Sequence, residues 1–485
     1  MSESLPTDTT LTGPSEATGS IDADALLAFM SQLGIAMTAA GQSVSASSSS
    51  LTSIAMAYGA DAQVSILPNT LFVKLRGRET STFDLASGVN PSLRLDQTAA
   101  IFDLARRAER AEMSPAEGLR SLNQIERTSS RYSAAVRILG HAVLAVGLGL
   151  VLEGSLSQLV TCILLGVLIG ELKALSEGHR TAEVLAPVVA SLAVGVIVFS
   201  IVKADLVSGP LLLLIPPVVT FLPGAKLTTA MIELANGDAV SGSSRLVEGA
   251  TQLLLLVFGY VVAAELVGLP TADAFARVPT PLFGWWAAWL GVLIYGVGNY
   301  FHHTAPKHSL PWLWLVLYVA FIGQRLGGQI FGGHLSGFIG AVAMTPVAYW
   351  IQRRRGAPPA LVTFLPAFWL LVPGSLGLIG LTQLVAENSQ AALQSVGDMT
   401  FSIVAIALGV MVGVTLIQPL GEPIGRMPLR TERALGKVIG KVLVAIKNTS
   451  EAARSERDRA QAKMEEQPNP AVDKPDGHVR HDNLG

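Results

Sequence analysis

Charge is scarce in this chain: only 14% of its residues are Asp, Glu, Lys or Arg, while half are hydrophobic, and there is a single cysteine. The lone Cys162 excludes an internal disulfide and a cysteine-cluster metal site. None of the eight histidines precedes His141, so the segment before it cannot assemble a Ser-His-Asp triad. The run Ser47 to Ser50 therefore reads as a polar helical face rather than a set of nucleophiles. No GxxxxGK[ST] phosphate-binding loop occurs, so no ATPase motor is visible and the motor is expected to be an ion gradient. Met1 to Ser20 is rich in Ser and Thr without an apolar core, and so resembles neither a signal peptide nor a span. Taken together, these absences exclude the common enzyme classes and call for no cofactor or metal.

What the chain has in abundance is apolar sequence. From Ser133 to Leu420 there are about ten stretches of roughly 20 residues, each long enough to cross about 30 Å of hydrocarbon as a helix. Those of the first half are Ser133 to Leu152, Leu156 to Ala174, Glu183 to Val202, Val207 to Ile232 and Leu246 to Val267. The second half has Leu282 to Phe301, Ser309 to Gln324, Ile330 to Ile351, Pro358 to Ala386 and Met399 to Leu420. An odd number of crossings reverses sides, so two five-helix modules, 132–268 and 281–420, form inverted repeats. Ahead of them, residues 21–131 read as an α+β domain. Leu26, Phe29, Met30, Leu33 and Met37 have helical spacing, with a break near Gly41, and Gln63 to Leu67 and Leu71 to Leu75 flank the Pro68-Asn69 turn signal as strands. Ser114-Pro115 with Glu117 opens a helix towards the first span. Residues 431–454 read as a basic amphipathic helix, and residues 1–20 and 455–485 as disordered tails. Arg127, Arg131, Lys173, Lys307, the run Arg353 to Arg355 and Arg430 fall on one side of a ten-span topology, against Lys203, Arg277 and Arg325 on the other. The positive-inside bias then puts both termini in the cytoplasm.

Two proline-glycine pairs interrupt the fourth span of each half, at Pro223-Gly224 and Pro373-Gly374. Proline removes a backbone donor and glycine loosens what remains, so each helix is expected to break in two. Broken helices at corresponding positions of two repeats mark a transporter's substrate site near the membrane midplane. Thr220, Thr228 and Thr229 add hydroxyls around the first break, and Ser375 follows the second. Lys226 is placed to neutralise a substrate carboxylate. The competing reading is a pair of kinked helices whose threonines bond their own backbone.

Ionisable residues in or at the edges of spans are His141, Glu171, Glu183, Lys226, Glu265 and His334. Charge there costs about 2.5 to 3.5 kcal/mol on the insertion scale, so each is a functional candidate. For proton coupling, His334 is deep in its span and titrates in the useful range, with Glu171 and Glu265 as further candidates.

The stretch Phe221-Leu222-Pro223-Gly224-Ala225-Lys226-Leu227-Thr228-Thr229 is followed by Glu233-Leu234, Asn236-Gly237-Asp238, Ser241-Gly242 and Arg245. It resembles the threonine/serine exporter family. Pro359-Ala360, Phe364-Leu365-Pro366 and Leu371-Val372-Pro373-Gly374-Ser375 resemble the family's carboxyl-terminal module, so the chain looks like the fused, two-module form. The resemblance implies export of small hydroxy amino acids from the cytoplasm across a bacterial-type plasma membrane, coupled to the proton motive force. The expected partners are a small amino-acid substrate, protons and the lipid bilayer, with no nucleic acid and with room for a homo-oligomer. Lys226 and Glu233 depart from the family pattern. Two-chain relatives are associated with dicarboxylate export, which stays open as the alternative substrate class, beside a passive channel.

Overall fold

A computed structural model of the chain describes residues 22–67, 70–76, 81–87, 93–207, 209–270, 274–275, 283–331, 333–354, 356–371 and 390–417. The expected amphipathic helix at 431–454, both expected tails, and Pro373, Gly374 and Ser375 lie outside these residues.

At the amino terminus the Asp22 carboxylate accepts the Asp24 and Ala25 amides and starts α1 (Ala23–Ala39). The helix stops before Gly41, whose φ of +95° is readily reached only by glycine, and α2 (Val44–Ala57) follows. The strands β1 (Asp61–Leu67), β2 (Thr70–Arg76) and β3 (Ser81–Ser87) form an antiparallel sheet in the order β1-β2-β3. Leu71, Val73 and Leu75 alternate onto one face of β2 and share a core with Phe29, Met30 and Leu33 of α1. Two further helices, α3 (Leu95–Ala108) and α4 (Pro115–Arg127), lead to the apolar bundle. At the start of α4 the Ser114 amide donates to Glu117 Oε2 at 2.9 Å and the Glu117 amide to Ser114 Oγ at 3.3 Å. The bond from the Ser114 amide is the main reason the Glu117 carboxyl lies below its usual range.

The bundle begins with α5 (Ala134–Val151), α6 (Leu156–Ser176), α7 (Arg180–Lys203), α8 (Pro210–Val218), α9 (Gly224–Asn236) and α10 (Ala239–Val267). It continues with α11 (Trp286–His302), α12 (Leu310–Phe331), α13 (Gly333–Gln352), α14 (Ala360–Leu370) and α15 (Gln390–Thr415). Among the described residues six helices are long and apolar enough to cross a membrane, or seven with the bent pair 212–236 taken as one span. The chain is thus a polytopic α-helical membrane protein. Of the ten expected spans, those at α11, α14 and the apolar part of α15 are shorter than a full crossing as described. The missing part of the ninth lies at 372–389, outside the described residues. The fifth span begins at Ala239, well before the expected Leu246, because hydropathy marks only a helix's apolar stretch and Arg245 is held within the helix by an ion pair described below.

Close packing of small residues organises the bundle. A Cβ built on Gly147 of α5 would lie 2.3 Å from the Tyr295 amide nitrogen, and one on Gly298 of α11 would lie 2.3 Å from that of Leu144. The two backbones therefore meet without intervening side chains, as small residues permit within hydrocarbon. These are the first helices of the two expected halves. Gly147→Ala and Gly298→Ala should each destabilise the solubilised protein by about 1–3 kcal/mol, the usual cost of overpacking. Thermal unfolding in detergent measures this, and unchanged melting of both variants would refute the contact.

Candidate functional site

In α8, Pro216 and Pro217 remove two backbone donors, and the chain tightens into the short 3-10 turn Val219–Phe221. Pro223 then caps α9, which restarts at Gly224 with its axis turned by 64°. Neighbouring helices satisfy carbonyls along this distorted stretch. Gln252 Nε2 of α10 donates to the Phe221 carbonyl and Tyr260 Oη to that of Leu214, both at 2.6 Å. At α14, Gln324 Nε2 donates to the Leu371 carbonyl at 3.3 Å and Tyr295 Oη to that of Pro366 at 3.2 Å. Such compensation is what lets a helix break in hydrocarbon.

Thr220 stands at the corner of the break, and the opposing side chain is His141 of α5. The imidazole is fully buried, with Nδ1 2.8 Å from the Gly166 carbonyl and Nε2 3.3 Å from Thr220 Oγ1. A carbonyl can only accept, so Nδ1 carries a proton and donates it. In the neutral ring Nε2 then accepts from the Thr220 hydroxyl, and on protonation the direction of that bond reverses. Gly166 makes this geometry possible: a Cβ there would lie 2.7 Å from Ala142 Cα, so α6 reaches α5 closely enough to offer its carbonyl.

Beyond His141 lie two more imidazoles. Ring centroids are 4.7 Å apart for His141 and His302 and 4.6 Å for His302 and His303, and Trp369 of α14 lies a further 4.6 Å beyond His303. His302 Nδ1 donates to the Arg137 carbonyl at 3.0 Å, which leaves its Nε2 as an acceptor when neutral. Lys173 of α6 lies on the same side of the break, its Nζ 6.0 Å from the ring centroid of Phe221, the residue after Thr220. A cation, a protonatable imidazole and a hydroxyl thus converge beside the first turn of α9, whose leading amides favour an anionic group.

The other expected site residues are dispersed. Pro223 and Gly224 are buried at the corner, and Thr228, also buried, donates to its own helix at the Gly224 carbonyl, 2.9 Å away. Thr229 is half-buried. Lys226 does not join the cluster; it lies on the exposed face of α9, paired with Glu248 of α10. Glu171 and Glu265 lie on exposed faces of α6 and α10, and the His334 side chain is outside the described residues. The sequence pattern marks Lys173 only as one of the cytoplasmic-side cations and does not single out His302, His303, Gln252 or Gln324. The only available signal was polarity at the ends of, or within, apolar stretches.

The acidic and basic residues after the break form a second arrangement. Asp238 donates its amide to the Glu233 carbonyl at 2.9 Å across Gly237, whose φ is +92°, so Asn236-Gly237-Asp238 is a helix-ending turn. Glu233, with no exposed surface, accepts the Val44 amide at 3.1 Å on Oε1 and faces Arg245 Nε at 3.1 Å on Oε2. The Arg245 N–H is not aimed at that oxygen, so the contact is an ion pair rather than a hydrogen bond. Val44 is the first residue of α2. Its neighbour Ser45 accepts from Asn236 Nδ2 at 3.5 Å and lies beside Asp238, whose carboxyl is raised mainly by burial. These residues therefore hold the amino-terminal segment onto the end of α9.

Among the described residues the chain is a multi-pass helical bundle with one bent span and a buried imidazole beside the bend, the architecture of a polytopic membrane protein. Residues 28–267 match the family model described as "Putative threonine/serine exporter", and this part of the chain belongs to that family. No curated protein matches the chain. No solved structure matches it either.

Proposed function

We propose that this protein is a secondary active exporter of threonine and serine, exchanging substrate for protons by alternating access in a bacterial-type plasma membrane. The observation that carries the reading is the hydrogen bond between the buried His141 and Thr220 at the corner of the bent span, inside the region matched to the exporter family. Lys173 and the leading amides of α9 suit an α-carboxylate, and Thr220 suits a hydroxyl. His141 is the coupling group, because a proton on Nε2 reverses the bond to the helix that moves. The contact of α5 with α11, first helices of the two halves, supports an inverted repeat of ten spans in all. Lys307, Arg353 and Arg354 gather at the bundle end that carries the amino-terminal segment, and the positive-inside bias assigns that end to the cytoplasm.

Counterflow of labelled threonine, serine and succinate in proteoliposomes tests the reading. Threonine and serine are expected to exchange and succinate is not, since the one cation beside the break, Lys173, matches one carboxylate. Exchange of succinate alone would make the protein a dicarboxylate exporter, and uptake of all solutes without counterflow would make it a channel. A cysteine placed at residue 69 is expected to resist an impermeant thiol reagent added to intact cells; the native Cys162 is buried and gives little background.

A further inference from the structure

A groove of about 820 Å³ runs between α3 and the loops that precede α12 and follow α13. Six cationic side chains line it, Arg106, Arg107 and Arg110 from α3 and its end, Lys307, and Arg353 and Arg354, against the single carboxylate of Asp103. Arg106 pairs with Asp103 at 3.2 Å, and Arg110 and Arg107 approach Glu112 at 3.4 and 3.9 Å. Among the described residues Lys307, Arg353 and Arg354 have no carboxylate within 4.0 Å. Arginines at the ends of α3 and α13 complement the dipoles of those helices one at a time. Helix dipoles do not require that three separate segments turn their cations onto one concave surface, where like charges repel.

We propose that this groove binds a phosphate-bearing anion. Guanidinium groups match phosphate oxygens two at a time, and a lysine adds a point charge, so the lining suits phosphate better than a lone carboxylate. The volume suits a phospholipid headgroup or a nucleotide. Trp350 favours the headgroup. It is 45% exposed, packs edge-on to Trp312 with centroids 6.3 Å apart, and carries Arg354 4.1 Å from its ring centroid. Half-exposed tryptophans beside arginines mark the membrane–water interface, which sets the groove at headgroup depth. An anion held there would bridge the amino-terminal segment to the loops flanking α12 and α13.

The test uses the full-length protein in detergent, titrated with short-chain phosphatidylglycerol, phosphatidylcholine, ATP and inorganic phosphate, with bound species counted by native mass spectrometry. Phosphatidylglycerol is expected to be retained over phosphatidylcholine. The combined Arg110→Gln, Lys307→Gln and Arg353→Gln variant is expected to lose about a hundredfold in affinity, roughly fivefold per charge. If ATP or inorganic phosphate binds with the same dependence on these residues, the anion is a soluble phosphate and the site stands. Should the triple variant fail to fold, the single substitutions are each expected to lose about fivefold. The charge-keeping pair Lys307→Arg and Arg353→Lys should retain binding. Binding that is equal in the triple variant and the native protein, or no binding of any anionic probe, overturns the proposal.

Discussion

Replacing His141 with glutamine is expected to abolish accumulation of threonine driven by a pH gradient, while counterflow at equal pH on both sides continues. Glutamine can donate to the Gly166 carbonyl and accept from Thr220, as neutral histidine does, but it cannot take up a proton. With one proton per substrate, a gradient of one pH unit supports about tenfold accumulation, since a factor of ten corresponds to about 1.4 kcal/mol. The variant should accumulate no more than the level reached without a gradient. His302→Gln should have the smaller effect, because that ring bonds the Arg137 carbonyl and touches the break only through His141. Full gradient-driven accumulation by His141→Gln would remove this residue from the coupling step. Loss of counterflow as well would make it a binding or packing residue instead.

The break itself is legible in the sequence because it rests on covalent properties. Pro216, Pro217 and Pro223 lack a donor whatever surrounds them, and Gly224 lacks a Cβ, so the bend can be anticipated without knowing any neighbour. The facing of residues beyond the bend is not legible. Helical phase is continuous only within one helix, and the 64° turn at Gly224 resets it, carrying Lys226 outward to Glu248. His141 is visible as an ionisable residue in a span, yet its partner Thr220 is 79 residues away, and its surroundings are set by close helix approaches such as those at Gly166 and Gly170, which no local pattern discloses. The histidine pair at the end of α11 reads as an ordinary span terminus for the same reason. In the amino-terminal segment the signals are local and strong: alternation along β2, and Ser114-Pro115 with Glu117 at the start of α4. The residues around Glu233 carry a recognisable pattern without disclosing their task, because half of their contacts lie on α2.

Glu233→Ala is expected to release α2 from the bundle. Ser43, at the cap position of α2, makes no side-chain bond to the helix amides, and its hydroxyl meets that of Ser45 at 3.4 Å. The cap is supplied from α9 instead, by the Glu233 carboxylate on the Val44 amide, where negative charge also suits the positive end of the α2 dipole. Removing the carboxylate leaves that amide without its partner and the Arg245 guanidinium, only 15% exposed, without its counter-charge. Breaking one side of a buried pair costs about 3–5 kcal/mol, whereas removing both charges often costs less. The single variants Glu233→Ala and Arg245→Ala should therefore each lower thermal stability more than the double variant does. Hydrogen exchange across 44–57 should accelerate in Glu233→Ala and stay unchanged in α5, whose packing on α11 is independent of this contact. The effect should reach transport, because α9 is a single helix of 13 residues, about 20 Å long, with the break at one end and this contact at the other. Freeing its far end is expected to slow export of threonine by about tenfold, equivalent to about 1.4 kcal/mol. Unchanged exchange in 44–57 together with native melting in both single variants would mean that Glu233 and Arg245 do not hold the amino-terminal segment in place.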